Sequence, residues 1–96
     1  MRLASLGSGS SGNATLLDTG EGLILIDCGL SARETERRMQ YLDLSLADIQ
    51  AILVTHEHAD HIGGVSAVAS KSGAQVFATQ GTARKLRCDY QAIRAD

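Results

Sequence analysis

Residues 51–54 (Ala-Ile-Leu-Val) form a continuous apolar run, and residues 55–61 (Thr-His-Glu-His-Ala-Asp-His) follow it directly. A short apolar run of this kind is typical of a strand that is covered on both faces of its sheet. All three histidines of the chain lie within the segment that follows. Sheets with helical connections carry their functional side chains beyond the carboxyl ends of such strands. The sequence therefore predicts a layered sheet with a site at the end of this strand.

Local patterns predict the other elements of this sheet. Short apolar runs between glycine-rich turns predict three earlier strands, near residues 3–6, 14–18 and 23–27, with a hairpin turn at 18–22. Ser31 with Glu34 three positions later predicts a capped helix from Ala32 to about Leu42. Its apolar face is thin and consists of Ala32, Met39 and Leu42. The remaining predictions are a helical turn capped by Ser45, a helix from 61 or 62 to about 72, a strand at 74–78 and a last helix from 81 or 82.

The composition indicates one small domain. The chain has 96 residues, nine of them basic and eleven acidic, and a net charge of −2 without runs of like charge. A chain of this length hides roughly 60–65% of its unfolded surface, so its stability is marginal without a metal, a partner or further sequence. It has no apolar stretch that could span a bilayer and no leader-like segment, and Cys28 and Cys88 form no C-x-x-C pair. We therefore expect a cytoplasmic protein that does not enter the membrane.

The histidine segment carries ligands for divalent metal ions. On an extended segment, residues two apart project to the same side, so His56 and His58 can face one ion. A bend after His58 would turn Asp60 and His61 toward a second ion nearby. Two ions about 3.5–4 Å apart can activate a shared water molecule as a nucleophile. The alternative is a group of surface histidines beside a helix that Asp60 caps, but three histidines with an interleaved aspartate favour the metal.

The segment THEHADHIGG resembles the H-x-H-x-D-H signature of the metallo-β-lactamase superfamily. The opening LASLGSGSSGNATLL and the strand LILIDCGLS are similar to the YycJ-like (WalJ-like) branch of that superfamily. The resemblance covers essentially the whole chain and implies an α/β (α+β) fold, the amino-terminal half of an αββα sandwich. It also implies a dinuclear metal centre and hydrolysis by a metal-bridged hydroxide. In that branch the implied enzyme is a phosphodiesterase that acts on nucleic acid as an exonuclease.

The resemblance implies roles for individual residues. His56 and His58 match ligands of the first metal, whereas Asp60 and His61 match ligands of the second. Asp60 is also implied to polarise the nucleophile. Asp27, at the end of its strand, matches an acidic residue that orients the site, although an ordinary strand-end aspartate is the alternative.

The glycine-serine segment at residues 7–13 (GSGSSGN) is a candidate phosphate contact. Glycine permits tight turns and close backbone approaches, and successive free amides can cradle a phosphate oxygen. The side chains that could add donors are Ser8, Ser10, Ser11 and Asn13. The alternative is an ordinary hairpin connection, since these residue types are common in turns.

The chain departs from the superfamily in its ligand count. Members are much longer, and their later part supplies another histidine, a bridging aspartate and a last histidine. After His61 the chain has no histidine, and its remaining aspartates are Asp89 and Asp96. We therefore expect residues 1–96 to form a partial domain, incomplete at the carboxyl end, that binds metal weakly and is inactive alone. It should need the missing carboxyl-terminal half or self-associate through the uncovered face of its sheet.

Other functions stay open. The same fold could hydrolyse thioesters, lactams or lactones, because an activated water also attacks carbonyl carbon. The chain could also be a metal-binding or interaction module without catalysis, or a structural domain with incidental histidines. Zinc is the expected metal, with manganese or iron as alternatives.

Overall fold

The computed structural model describes residues 1–9, 12–55, 62–79 and 91–93. The elements are β1 (Arg2–Gly7), β2 (Ala14–Asp18), β3 (Leu23–Cys28), α1 (Ala32–Gln40), a 3-10 turn (Leu46–Asp48), β4 (Ile49–Val54), α2 (Val65–Ser72), β5 (Gln75–Thr79) and β6 (Gln91–Ile93).

The strands form one mixed sheet in the order β1-β2-β3-β4-β5-β6. The first three strands pair antiparallel, and β3, β4, β5 and β6 pair parallel. Parallel neighbours need a crossover, and α1 and α2 supply the crossovers from β3 to β4 and from β4 to β5. This arrangement confirms the predicted α/β fold class, the five predicted strands and the helices between them. The sequence patterns did not predict β6, and the predicted helix from 81 or 82 lies outside the described residues.

The turn between β2 and β3 forms as predicted. The Thr19 amide donates to the Gly22 carbonyl over 3.1 Å, and the Gly20 amide donates to the Asp18 carboxylate over 2.9 Å. The bond from the Gly20 amide, together with Arg2, lowers the pKa of Asp18. Local side-chain and backbone hydrogen bonds thus fix the register of this hairpin.

One face of the sheet and the two helices enclose the core. Leu16, Leu25, Ile52 and Val76 lie side by side in register on four neighbouring strands, and each is at most 2% exposed. They belong to one buried cluster with Met39 of α1 and with Val65 and Val68 of α2. Their burial follows from the two-residue period of a strand, which places alternate side chains on one face.

The opposite face of the sheet is apolar but only partly buried. Leu17 pairs with Ile24, and Ile24 lies beside Ala51. Two residues further along these strands, Ile26 lies beside Leu53, and Leu53 lies beside Phe77. All six side chains keep partial solvent exposure in the described structure. The prediction that the fourth strand is covered on both faces was therefore wrong within the described residues, because the helices pack on one face.

The first helix begins where it was predicted and ends earlier. The Ser31 hydroxyl accepts a hydrogen bond from the Glu34 amide over 3.1 Å, which caps the helix amino terminus. The helix ends at Gln40 and a turn follows, so Leu42 is 45% exposed and does not join the core as predicted. Thr35 takes the third buried position beside Ala32 and Met39. Its hydroxyl donates to the Ser31 carbonyl over 2.8 Å, which offsets the cost of burying it.

The second helix also differs from its prediction at the amino terminus. It begins at Val65 instead of 61 or 62, after two glycines, Gly63 and Gly64, which disfavour a helix interior. Ile62 still packs against the core, as the helical spacing predicted. Ser45 caps the short 3-10 turn as predicted, and its amide donates to Asp48 over 3.0 Å. Among the described residues, no helix has the length and apolar character required to cross a bilayer.

Candidate metal centre at the ends of the parallel strands

The four predicted metal ligands, His56, His58, Asp60 and His61, lie outside the described residues, as do Ser10 and Ser11. Their assignments therefore stay predictions. The described residues on both sides of segment 56–61 show how its two flanks are held. Within those described parts of the chain, no three His, Cys, Asp or Glu side chains are grouped so that they could hold a metal ion.

Asp27 anchors the amino-terminal side of the segment. Its carboxylate accepts a 2.7 Å hydrogen bond from the Thr55 amide and a 2.5 Å bond from the Thr55 hydroxyl. Asp27 is 6% exposed and has a φ of 60°, a left-handed conformation that aspartate tolerates better than most residues. The residue before His56 is thus fixed to the end of β3. The role of Asp27 in orienting metal ligands stays a prediction.

Gly64 anchors the carboxyl-terminal side. Its amide donates to the Cys28 carbonyl over 2.7 Å, and the residue is buried. A methyl group on Gly64 would overlap the Leu30 carbonyl oxygen and lie 3.2 Å from the Cys28 sulfur. The backbone after His61 can therefore approach the end of β3 this closely because position 64 is glycine.

Together these contacts tie both sides of the histidine segment to consecutive residues of β3. Thr55 is bound to Asp27, and Gly64 is bound to Cys28. Ligands whose flanks are fixed can hold a metal ion in one geometry at a smaller entropic cost. The imidazole and carboxylate donors of segment 56–61 match the preferences of zinc and similar divalent ions. The residues that are present therefore fit a metal site by donor chemistry and by the fixed position of both flanks.

Cys28 packs in the hydrophobic core of the described structure. Its side chain is fully buried, and burial raises the pKa of the thiol. The sulfur lies 3.4 Å from the Thr35 hydroxyl and 3.4 Å from the Leu30 carbonyl. A neutral thiol in these surroundings packs as a small apolar group.

The described residues of the glycine-serine segment meet one another beside the same end of β3. The Asn13 carboxamide accepts from the Gly9 amide over 3.1 Å and donates to the Gly9 carbonyl over 3.0 Å. Gly12, with φ of 141°, packs so closely that a methyl group there would lie 2.8 Å from Leu30 Cδ2. Ser8 is exposed. Asn13 therefore has a role inside the loop, and the prediction that Ser8 and Asn13 contact substrate stays a prediction.

Sequence reasoning missed three residues that shape this region: Thr55, Gly64 and Leu30. Leu30 is 5% exposed, and it contacts the glycine-serine segment with its side chain and the Gly64 backbone with its carbonyl. The sequence signals for these residues were weak. Thr55 directly follows the apolar run, and Gly64 closes a pair of glycines, but neither pattern identifies the distant partner.

Comparisons with known proteins identify the family. The sequence profile of the metallo-beta-lactamase superfamily matches residues 7–93. Exodeoxyribonuclease YycJ of Bacillus anthracis is 40% identical over 82 residues, which are 85% of this chain and 31% of that protein. Exodeoxyribonuclease WalJ of Streptococcus pneumoniae is 42% identical over 77 residues, which are 80% of this chain and 29% of that protein.

Solved structures agree with this assignment. A B3 metallo-beta-lactamase with an active-site glutamic acid superposes with a TM-score of 0.75 at 37% identity, over 88% of this chain and 32% of that one. The chain thus spans less than a third of the length of these relatives. Because the superfamily profile spans nearly all of it and the described fold superposes on a solved member, the chain belongs to the metallo-beta-lactamase superfamily.

Proposed function

We propose that this chain carries the first part of the active site of a metal-dependent phosphodiesterase, an exonuclease that acts on nucleic acid. Both relatives named above are called exodeoxyribonucleases, which supports the substrate class. The observation that carries the proposal is that Thr55 and Gly64, on either side of the histidine segment, are hydrogen-bonded to Asp27 and Cys28. Such fixed flanks are what a metal site needs in order to hold its ligands in one geometry.

In this proposal His56 and His58 hold one divalent ion, and Asp60 and His61 hold a second. These side chains would hold divalent ions, which would supply an activated water and positive charge beside the phosphate. Asp27 orients the segment through Thr55, and Asp60 also polarises the attacking water. Zinc is the proposed metal, with manganese or iron as alternatives.

The proposed ligand set is incomplete within residues 1–96. Four side chains divided between two ions leave two for each, whereas catalytic zinc usually has three protein ligands and a water. The relatives are more than three times as long as the matched segment. We therefore propose that these 96 residues bind metal weakly and are inactive on their own. Activity would require ligands from further sequence.

The open face of the sheet supports a requirement for a covering partner. Leu17, Ile24, Ile26, Leu53 and Phe77 lie on it and keep partial exposure. Contiguous apolar surface of this kind associates in water. We propose that the remainder of a longer protein covers it, and that the isolated chain self-associates instead. Sedimentation analysis of the isolated chain should show oligomers, and a monomer with a sharp cooperative thermal transition would contradict this.

A carbonyl hydrolase is the second candidate function. The solved structure reported above is a metallo-beta-lactamase, so the same fold can present its site to a lactam or a thioester. A metal-binding or interaction module without catalysis is the third. We propose a cytoplasmic location, in keeping with a nucleic acid substrate and a buried cysteine that remains a thiol.

The test compares two proteins. The first is the chain alone, and the second is a fusion of the chain to the later two-thirds of the pneumococcal relative. End-labelled DNA, a β-lactam and a thioester are offered with zinc or manganese, and products are followed over time. We expect the fusion to shorten DNA from an end and the chain alone to release nothing measurable. Cleavage of the lactam or thioester instead of DNA would favour the second function.

The matched control is the His58→Ala variant of the fusion. We expect it to lose activity and to bind zinc at least about tenfold more weakly in a calorimetric titration, because one imidazole ligand is missing. Unchanged zinc affinity in His56→Ala and His58→Ala would favour a structural domain with incidental histidines.

A further inference from the structure

The Cys28 side chain lies where the carboxyl-terminal flank of the histidine segment meets the end of β3. It is fully buried. The Gly64 amide donates to the Cys28 carbonyl over 2.7 Å, and a methyl group on Gly64 would lie 3.2 Å from the Cys28 sulfur. Cys28 therefore lies against this flank with its side chain as well as with its backbone.

The Cys28 thiol also holds the carbonyl group on which Gly64 packs. Its sulfur lies 3.4 Å from the Leu30 carbonyl oxygen and 3.4 Å from the Thr35 hydroxyl. The Thr35 hydroxyl donates its single proton to the Ser31 carbonyl over 2.8 Å, so the thiol is the donor toward both oxygens. The thiol thus links the Leu30 carbonyl to the first turn of α1.

The Leu30 carbonyl in turn limits where the Gly64 backbone can lie. A methyl group on Gly64 would overlap this oxygen, so the Gly64 backbone is packed directly on it. Gly64 follows His61 by three residues. A side chain that directs the Leu30 carbonyl therefore acts, through Gly64, on the end of the histidine segment.

We propose that Cys28 is a positioning residue for the metal centre. Its thiol holds the Leu30 carbonyl in the orientation that fixes Gly64, and Gly64 fixes the carboxyl-terminal flank of the histidine segment. This inference rests on the proposed function, because the flank matters to metal binding only if residues 56–61 hold the ions. Groups that contact a metal ligand directly are typically worth roughly 10–100-fold in metal affinity. Cys28 acts through intervening residues, so its effect should be smaller.

The first experiment measures amide hydrogen exchange of the chain by nuclear magnetic resonance, with a chelator present and at one protein concentration. Exchange of the Gly64 amide reports opening of its bond to Cys28, whereas the slowest amides of the sheet report global unfolding. Cys28→Ala removes the thiol, and Cys28→Ser keeps a donor. Val76→Ala is the matched control, because Val76 is buried in the same core cluster but lies beside Ile52 on β5.

We expect Cys28→Ala to accelerate exchange of the Gly64 amide at least about fivefold more than that of the sheet amides, the equivalent of one lost hydrogen bond. Cys28→Ser should lie between the parent and Cys28→Ala. Val76→Ala should accelerate both kinds of amide by a common factor, because it destabilises the whole core. If Cys28→Ala does not fold, Cys28→Ser takes its place, and its Gly64 amide should be accelerated at least about twofold more than in Val76→Ala.

The second experiment is a calorimetric zinc titration of the fusion described above. Cys28→Ala should bind zinc at least about threefold more weakly than the parent, whereas Val76→Ala should stay within about twofold of it. Cys28→Ser should recover part of the affinity. Serine does not replace a zinc-bound thiolate, but it can donate to the Leu30 carbonyl, so this recovery identifies the hydrogen bond as the cause.

Equal acceleration of the Gly64 amide and the sheet amides in Cys28→Ala would overturn the inference. Unchanged zinc affinity in Cys28→Ala, or no recovery in Cys28→Ser, would do the same. The exchange experiment contains no metal, so its result is independent of the proposed function. Failure of the parent fusion to bind zinc or to cleave DNA would count against the proposed function, and the exchange experiment alone would then decide whether Cys28 holds this flank.

Discussion

Replacement of Gly64 by alanine tests whether the histidine segment is held against β3. The backbone of Gly64 has φ −107° and ψ 0°, which alanine can adopt without steric strain. The added methyl group, however, would overlap the Leu30 carbonyl oxygen and lie 2.9 Å from the carbonyl carbon. Because the obstacle is backbone, it cannot rotate away, and the two segments must separate.

The expected loss follows from two contributions. Overpacking in a filled interior costs about 1–3 kcal/mol. Separation of the segments also weakens the 2.7 Å hydrogen bond from the Gly64 amide to the Cys28 carbonyl, which contributes about 1 kcal/mol. The free energy of unfolding should therefore fall by about 2–4 kcal/mol. A domain of this size has only about 5–14 kcal/mol of stability, so the unfolding midpoint should fall by roughly 10 °C or more.

Gly22→Ala is the matched control. A methyl group on Gly22 would also overlap a neighbour, but that neighbour is the side-chain amide of the exposed residue Gln50. Gln50 can rotate into solvent, so the loss should stay within about 0.5 kcal/mol. Urea denaturation followed by circular dichroism compares both variants with the parent at one protein concentration, because the isolated chain is proposed to self-associate. If Gly64→Ala lowers the free energy of unfolding no more than Gly22→Ala does, Gly64 does not contact Leu30 this closely. The carboxyl-terminal flank of the histidine segment would then not be fixed as described.

Three further predictions concern single side chains. Asp27→Ala removes both hydrogen bonds to Thr55 and places alanine at a φ of 60°, so it should lower the free energy of unfolding by about 2–4 kcal/mol. Asp27→Asn keeps one acceptor and tolerates this φ, so the free energy of unfolding should fall by about half as much. Equal losses in urea denaturation would show that the carboxylate is not the anchor. Hydrogen bonds from Arg37 and then Arg38 lower the pKa of Glu34 to about 2. The ionised Glu34 side chain therefore stabilises the fold fully above its unfolded pKa near 4.5, and this stabilisation is lost as the pH falls toward 2. The urea midpoint of the parent should therefore fall more between pH 5 and pH 2.5 than that of Glu34→Gln, and parallel falls would contradict the ion pairs. Leu30→Ala should cost about 2–4 kcal/mol and broaden the amide resonance of Gly12 more than that of Gly64, because the Leu30 side chain contacts Gly12 whereas the Leu30 carbonyl, which the substitution keeps, contacts Gly64. Equal broadening at both glycines would contradict this division of contacts.

Patterns within a few residues predicted much of the fold. The apolar runs identified five of the strands, and Ser31 identified the first residue of α1, because strand alternation and helix capping depend on neighbours in sequence. The end of α1 was placed two residues too late, since helical spacing alone did not reveal the turn that exposes Leu42. The choice of the histidine segment as the metal site also came from sequence, and its four ligands stay predictions.

Tertiary structure decided how that segment is held. The hydrogen bonds from Thr55 to Asp27 and from Arg38 to Leu6 join residues 28 and 32 positions apart. The Gly64 contact with Cys28 and Leu30 is of the same kind. Such pairs depend on which strands become neighbours and in what register, and one sequence contains no local signal for that choice. The sequence by itself therefore determined which residues could bind metal, whereas the pairing of β3 with β4 brought the flanks of those residues to one end of the sheet.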